Sequence, residues 1–183
     1  MIIEIHNFTQ SHIDEELFKK AGELALRIIK KERPDFKLKG EVEISLAIVG
    51  DGRMRKLNKI YRGRNRTTDV LAFSNFAKPS KAKKTGSIIK YLAKMYPRVK
   101  DIEFVEFPDG VNRLGEIVIS HPRAKKQAKR IGHSVSKELS ILFIHGILHL
   151  FGYDHERGER QKKEMEMMER KILKELEKDI PLN

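Results

Sequence analysis

The segment from Ser136 to Leu150 constrains the fold more than any other part of the chain. Apolar side chains surround almost the whole circumference of the helix predicted there: Leu139, Ile141, Leu142, Phe143, Ile144, Ile147 and Leu148. A helix that is apolar on every side is a buried helix, so other elements have to cover it. The segment therefore predicts a central helix with the rest of the fold packed around it.

Two histidines, His145 and His149, lie on this helix, and His155 follows shortly after it. Positions four apart share one helix face, with Cβ atoms about 5–6 Å apart, so both rings can reach one metal ion. Gly152 lies where a helix end favours a left-handed residue, which would turn the chain and return His155 to the same point. One histidine on an apolar helix is usually a hydrogen-bonded core residue, but three buried together are costly without a shared partner. The pattern predicts three metal ligands and an open fourth position, as in catalytic zinc sites.

The spacing of these histidines and Gly152 is that of the metzincin metalloproteases, whose motif begins His-Glu. Those proteases use the glutamate as general base in peptide hydrolysis. The second position here is Gly146, so that route lacks its base. Asp154, next to the third histidine, fits a turn or a supporting role better than that of a base. A metalloprotease or another zinc hydrolase remains an alternative, although Gly146 disfavours it.

The charge of the chain indicates a polyanionic partner. The formal net charge is +12, and residues 53–66 contain seven basic residues and no acidic one, while residues 75–100 contain eight more and again no acidic one. Such clustering favours nucleic acid first and an acidic membrane surface second, although a solvated basic surface without a partner stays possible from composition alone. The chain contains no cysteine, which excludes disulfides and thiolate metal ligands and permits a reducing cytoplasm. No apolar run is long enough to span a bilayer, and the first residues do not resemble a signal peptide.

Hydrophobic periodicity predicts a single α+β domain over residues 1–183, with a small mixed sheet of about four strands packed on several helices. The predicted strands cover residues 2–6, 42–48, 70–73 and 117–119. The predicted helices cover residues 14–32, 53–60, 122–131, 136–150 and 158–178. Strict alternation in the second strand predicts that it is half-buried.

Residues 75–113 form a long connection that predicts either structure of its own or a function. A short helix over 88–95 and an edge strand over 102–107 are the two elements that its pattern indicates. The segment is a possible basic insertion, which could extend an RNA-binding surface or be a hairpin without a role.

Four segments of the chain resemble those of a known family. HGILHLFGYDH, at residues 145–155, resembles the H-G-x-L-H-L-x-G-Y-D-H signature of the YbeY family. Residues 57–62 together with 67–73 resemble its LNxxYR and TDVLSF segments, and residues 114–120 resemble its LGDIVIS strand. The family is described as bacterial ribosomal-RNA maturation factors that act as metal-dependent single-strand endoribonucleases.

The resemblance implies one zinc ion per chain, bound by His145, His149 and His155. It also implies that Arg62 is the family's functionally important arginine near the metal. A guanidinium beside zinc can hold a phosphodiester in bidentate fashion and offset charge that develops in the transition state. From composition alone, Arg62 would be one more solvated cation. Five further basic residues are candidate RNA contacts: Arg64, Arg66, Lys81, Lys83 and Lys84.

These observations predict a cytoplasmic, zinc-dependent endoribonuclease that acts in maturation of small-subunit ribosomal RNA. The expected partners are ribosomal RNA and ribosomal proteins or the small ribosomal subunit, without a membrane. Zinc would polarise a phosphoryl oxygen or supply a hydroxide at neutral pH. Besides the hydrolase alternative, a non-catalytic ribosome-assembly factor that binds RNA and uses its metal for stability also fits the pattern.

Overall fold

The computed structural model describes residues 1–34, 38, 40–75, 88, 91–92, 111–155 and 158–180. Within these residues the elements follow in the order β1 (Ile2–Asn7), α1 (Glu15–Glu32), β2 (Val42–Val49), α2 (Asp51–Arg62), β3 (Val70–Ser74), β4 (Asn112–Ser120), α3 (His121–Ile131), α4 (Val135–Leu150) and α5 (Glu159–Asp179). The predicted fold class, an α+β fold with a small mixed sheet on several helices, is confirmed.

The sheet has the strand order β1-β2-β4-β3, in which β1, β2 and β4 are parallel and β3 runs antiparallel to β4. Leu46 at the middle of β2 pairs with Ile5 on one side and Ile117 on the other. The prediction that this strand is half-buried was wrong, because helices cover both faces of the sheet. Ala47 and Val49, on the face opposite Leu46, are buried beneath α2. An internal parallel strand is commonly covered in this way.

The boundaries of the other predicted elements differ from the structure by at most two residues, except for the fourth strand. That strand was expected over 117–119, but β4 begins at Asn112 because Asn112 and Arg113 pair with β2, and from Gly115 onward the strand pairs with both β2 and β3. Glu116, for example, lies between Ser45 of β2 and Phe73 of β3. Pairing on two sides stabilises a polar segment that its own pattern does not identify as a strand.

Most of the connection between β3 and β4 lies outside the described residues, as does the strand predicted over 102–107. Ile88, Tyr91 and Leu92 from the helix predicted over 88–95 are described and are helical. Ile88 and Leu92 are buried in the cluster beneath α2. The prediction of one domain over 1–183 with an insertion at 75–113 stays a prediction.

The central position of α4 follows from its neighbours. It contacts α1, α3, α5, β3 and β4, so its apolar circumference is covered as expected. Phe143 of α4 meets Phe18 of α1 edge to face, with ring centroids 5.3 Å apart, and such pairs add to the stability from burial alone. None of the helices in the described ranges combines the length and the apolar character that crossing a membrane requires.

Gly146 allows α4 to approach the sheet closely. A Cβ atom built on this residue would lie 2.8 Å from Cγ2 of Ile117, on the buried strand β4. Both residues are in the core, where neighbours relax only partially around an added group. The glycine is therefore a packing requirement of the contact between helix and sheet.

We expect Gly146→Ala to lower the free energy of unfolding by about 1–3 kcal/mol, because the added methyl group overpacks the contact with Ile117. Gly52→Ala is the matched control, since nothing lies within 4 Å of a Cβ at that helical position. In α2 the same change should be neutral or slightly stabilising. Urea unfolding of both variants measures the difference. An equal effect of the two substitutions would contradict this account of Gly146.

Candidate metal centre and its cleft

The three histidines of the motif converge in the structure. A ring nitrogen from each of His145, His149 and His155 lies within 4.8 Å of the others. The Nε2 atoms of His145 and His149 are 3.0 Å apart. Two nitrogens bound to one tetrahedral zinc ion at 2.0–2.1 Å would lie about 3.3 Å apart. The cluster therefore has the composition and the spacing to hold a metal ion.

A glycine turn at the end of α4 returns His155 toward the helix. Gly152 has φ +85°, the left-handed conformation expected from the sequence. Its N–H donates to the carbonyl of His149 at 3.0 Å, and the N–H of Tyr153 donates to the carbonyl of Leu148 at 3.0 Å. These two bonds form a Schellman motif, which satisfies carbonyls at the helix end while reversing the chain.

The second ring nitrogen of each helical histidine has an acceptor. Nδ1 of His149 donates to the carbonyl oxygen of Tyr153 at 3.0 Å, and Nδ1 of His145 is hydrogen-bonded to Oε1 of Glu169. Both bonds leave the Nε2 lone pair free to bind a metal. Burial, followed by the neighbouring His145 and His155, lowers the pKa of His149 to about 4. The ring is therefore neutral at pH 7, as a metal ligand must be.

Glu169, on α5, is the residue of this site that the sequence reasoning missed. Carboxylates that accept from a ligating histidine orient its ring and raise its basicity. A signal was present in the sequence, since Glu169 lies four residues after Met165 and three before Ile172 on the buried stripe of α5. An acidic residue on such a stripe requires a polar partner, but only the packing of α5 against α4 identifies His145 as that partner.

The histidines form one side of a cleft of about 520 Å³. Arg62, Arg64 and Arg66 also line this cleft and are exposed to solvent. The structure therefore brings together the predicted metal ligands, the predicted catalytic arginine and two of the candidate RNA contacts. Three candidate RNA contacts lie outside the described residues: Lys81, Lys83 and Lys84.

A buried asparagine holds the loop that carries the arginines. Helix α2 ends at Arg62 and is capped by Gly63, whose φ of +68° turns the chain. The carbonyl oxygen of Asn58 accepts from the N–H of Arg64 at 3.2 Å, and its side-chain amide donates to the carbonyl of Arg66 at 2.7 Å. Because Asn58 is buried, these bonds satisfy its polar groups. They also fix the course of the loop at the edge of the cleft.

Asp69 connects the cleft to α3. Its carboxylate accepts from the side chains of Thr68 at 3.1 Å and Gln127 at 2.9 Å and from the N–H of Val70 at 3.0 Å. Burial raises the pKa of Asp69, but these hydrogen bonds outweigh it and lower the pKa below its ordinary value. The ionised carboxylate is therefore a fixed anchor in the wall of the cleft.

The geometry at Gly146 bears on the protease alternative. This is the position at which metzincins carry their catalytic glutamate, and any side chain here would overlap Ile117 of β4. The close packing of α4 on the sheet at this position therefore disfavours a base of that kind.

Comparisons with known proteins extend over nearly the whole chain. A family model described as Endoribonuclease YbeY matches residues 4–177. A Leptospira interrogans protein named Endoribonuclease YbeY is 40% identical over 140 residues, which cover 75% of this chain and 89% of that protein. A Brevibacillus brevis protein of the same name is 36% identical over 174 residues, which cover 95% of this chain and 96% of that protein. Among solved structures, the solution structure of TM1509 from Thermotoga maritima has a TM-score of 0.56 and 25% identity, covering 97% of this chain and 91% of that one.

We expect Glu169→Gln to weaken zinc binding by about 10- to 100-fold, because the amide is a poorer acceptor for Nδ1 of His145 than the carboxylate. Glu166→Gln is the matched control, since Glu166 lies one turn earlier on the exposed face of α5 and faces Arg170 at 4.0 Å. Competition with a chromophoric chelator at pH 7 measures both affinities. Equal zinc affinities in the two variants would rule out an orienting role for Glu169.

Proposed function

The chain belongs to the YbeY family, and on this premise we propose that it is a zinc-dependent endoribonuclease of single-stranded RNA. We further propose that it acts in the cytoplasm on small-subunit ribosomal RNA, in contact with the small subunit or its proteins. The observation that carries the proposal is that three exposed arginines and three convergent histidines line one cleft. The names of the relatives and the net charge of +12 support RNA as the substrate.

His145, His149 and His155 would hold the metal through ring nitrogens. Three nitrogen ligands and an open position match catalytic zinc sites, and a zinc ion there would supply Lewis acidity toward a phosphoryl oxygen or water. Glu169 and the carbonyl of Tyr153 would hold His145 and His149 in the required tautomers. The protein thereby orients its ligands before any substrate arrives.

Arg62 would bind the phosphodiester that is cleaved. Its guanidinium can donate two parallel hydrogen bonds to phosphate oxygens, which both positions the group and offsets negative charge as it develops. No carboxylate in the described part of the chain forms an ion pair with Arg62, Arg64 or Arg66, so their charge is available to a ligand. Arg64 and Arg66 would contact the neighbouring phosphates of the same strand.

The metal content of the purified protein tests the first element of this proposal. We expect one zinc ion per chain in the wild type and loss of most of it in His149→Ala, because two ligands do not retain zinc against dialysis. Elemental analysis by mass spectrometry measures both. His12→Ala is the control, since His12 is exposed and does not line the cleft. Full zinc occupancy in His149→Ala would overturn the ligand set.

Cleavage of single-stranded RNA tests the activity. We expect Arg62→Ala to reduce the cleavage rate by about 10²- to 10³-fold, as for loss of one donor to a developing anion. Arg62→Lys should retain only part of the wild-type cleavage rate, because lysine lacks the planar guanidinium that donates two parallel hydrogen bonds. Lys59→Ala, an exposed change on the preceding turn of α2, should have little effect. A chelator should abolish cleavage.

The other outcomes identify the alternatives. Equal cleavage by all variants and by the chelated protein would indicate a contaminating nuclease. RNA binding without cleavage by the wild type would select the non-catalytic assembly factor, and casein hydrolysis would select the protease. Mapping of ribosomal-RNA ends in cells that carry wild type or His149→Ala tests the proposed substrate directly.

A further inference from the structure

A second basic surface lies on α3, outside the cleft. Helix α3 contains five basic residues and no acidic one. Four of its side chains line a groove of about 260 Å³: Arg123, Lys126, Gln127 and Arg130. We call these four residues the α3 surface. They are spaced at i, i+3, i+4 and i+7, so they share one face of the helix.

The charges of α3 are all basic, whereas those of helix α5 are balanced between basic and acidic residues. Helix α5 has seven basic and seven acidic residues, and many of them form ion pairs, within the helix as in Arg160 with Glu164 and Lys178 with Glu175, or with another helix as in Lys171 with Glu32. Residues 51–66 and α3 together hold twelve basic residues and one acidic one, so their charge is not balanced along the chain as that of α5 is. Among the described residues, no carboxylate forms an ion pair with a basic residue of α3. Solubility requires dispersed charges of both signs, so it does not explain this concentration.

The α3 surface is continuous with the wall of the cleft. Asp69 lines the cleft, and its carboxylate accepts from Gln127 of the α3 surface at 2.9 Å. The guanidinium of Arg123 donates to the carbonyl of Thr67 at 3.4 Å. Segment 67–69 therefore contacts the groove on α3 on one side and lines the cleft with the arginines and histidines on the other.

We propose that the α3 surface binds backbone phosphates of the RNA strand that flanks the cleavage site, after the strand has crossed segment 67–69. The inference rests on the proposed function, since it takes the ligand of the cleft to be RNA. Proteins that bind single strands use a basic groove that follows the backbone over about 4–16 nucleotides. A continuous RNA strand carries phosphates at regular intervals and can therefore contact both basic surfaces. An acidic protein does not share this regular spacing of charge, so RNA is the ligand that we propose.

The α3 surface adds affinity for longer substrates without taking part in the chemistry. Lys126 and Arg130 are exposed and reach phosphates, while Arg123 and Gln127 hold α3 against segment 67–69. A short RNA would occupy the cleft alone, and a longer one would contact both surfaces. The gain in binding affinity from short to long RNA therefore measures the contribution of the α3 surface.

The test uses the double variant Lys126→Ala/Arg130→Ala, which leaves Arg123 and Gln127 in place. Binding to zinc-loaded protein is measured by fluorescence anisotropy with single-stranded RNAs of about 4 and about 16 nucleotides. We expect the variant to bind the long RNA about 25-fold more weakly at about 100 mM salt. The slope of log K against log salt concentration should become smaller by about 1.4, since each of the two lost phosphate contacts contributes about 0.7. Binding of the short RNA should not change.

Lys162→Ala/Lys163→Ala on α5 is the matched control, because it removes the same charge from an exposed face. Unfolding midpoints of both double variants verify that each is folded. Equal loss of long-RNA affinity in the two would show a general charge effect and overturn the proposal. An unchanged affinity of the α3 variant for long RNA would also overturn the proposal. If that variant instead loses binding to an acidic polypeptide, tested in the same assay, the α3 surface binds protein and not RNA.

Cleavage of the short RNA separates this inference from the proposed function. If wild type and α3 variant cleave it at equal rates while only the variant binds long RNA weakly, both proposals are supported. If both cleave it and both bind long RNA equally, the α3 inference fails alone. If neither cleaves RNA, the proposed activity fails, and the anisotropy comparison still decides whether the α3 surface binds RNA.

Discussion

Helix α4 must be shielded from water around nearly its whole circumference and yet expose two imidazole rings to a cleft. Its neighbours α1, α3, α5, β3 and β4 provide the cover. The half-buried edge that remains carries His145 and His149, and the polar groups there are satisfied by Glu169 and by the carbonyl of Tyr153. The order of strands and helices around α4 can be understood as the way in which one chain meets both requirements.

This arrangement links the stability of the core to the geometry of the site. The helix that supplies two of the candidate ligands also packs against the sheet through Gly146 and against α1 through Phe143. Because interiors are densely packed and relax little, a shift of α4 would displace both imidazoles together. The site therefore requires no separate scaffold, and its precision comes from the same contacts that exclude water.

The part of the cleft that carries the arginines has a different physical basis. Its arginines are exposed: Arg62 ends α2, and Arg64 and Arg66 lie in the following loop, which the buried Asn58 holds through its backbone carbonyl and its side-chain amide. Asp69, fixed by Gln127 and its own neighbours, continues this wall toward α3. Within the described part of the chain these arginines form no ion pair with a carboxylate, and a row of such cations suits a ligand whose charge is regularly spaced, as the phosphates of a nucleic acid are.

The central helix, the glycine turn and the convergence of three histidines could be predicted from the sequence, because each depends on local spacing along the chain. The helix boundaries could also be predicted within two residues, since periodicity and capping are local signals. The full length of β4, the burial of both faces of β2, and the roles of Glu169 and Asn58 depended on residues distant in the sequence. These features become visible only in the folded chain, because pairing and burial are set by which elements become neighbours.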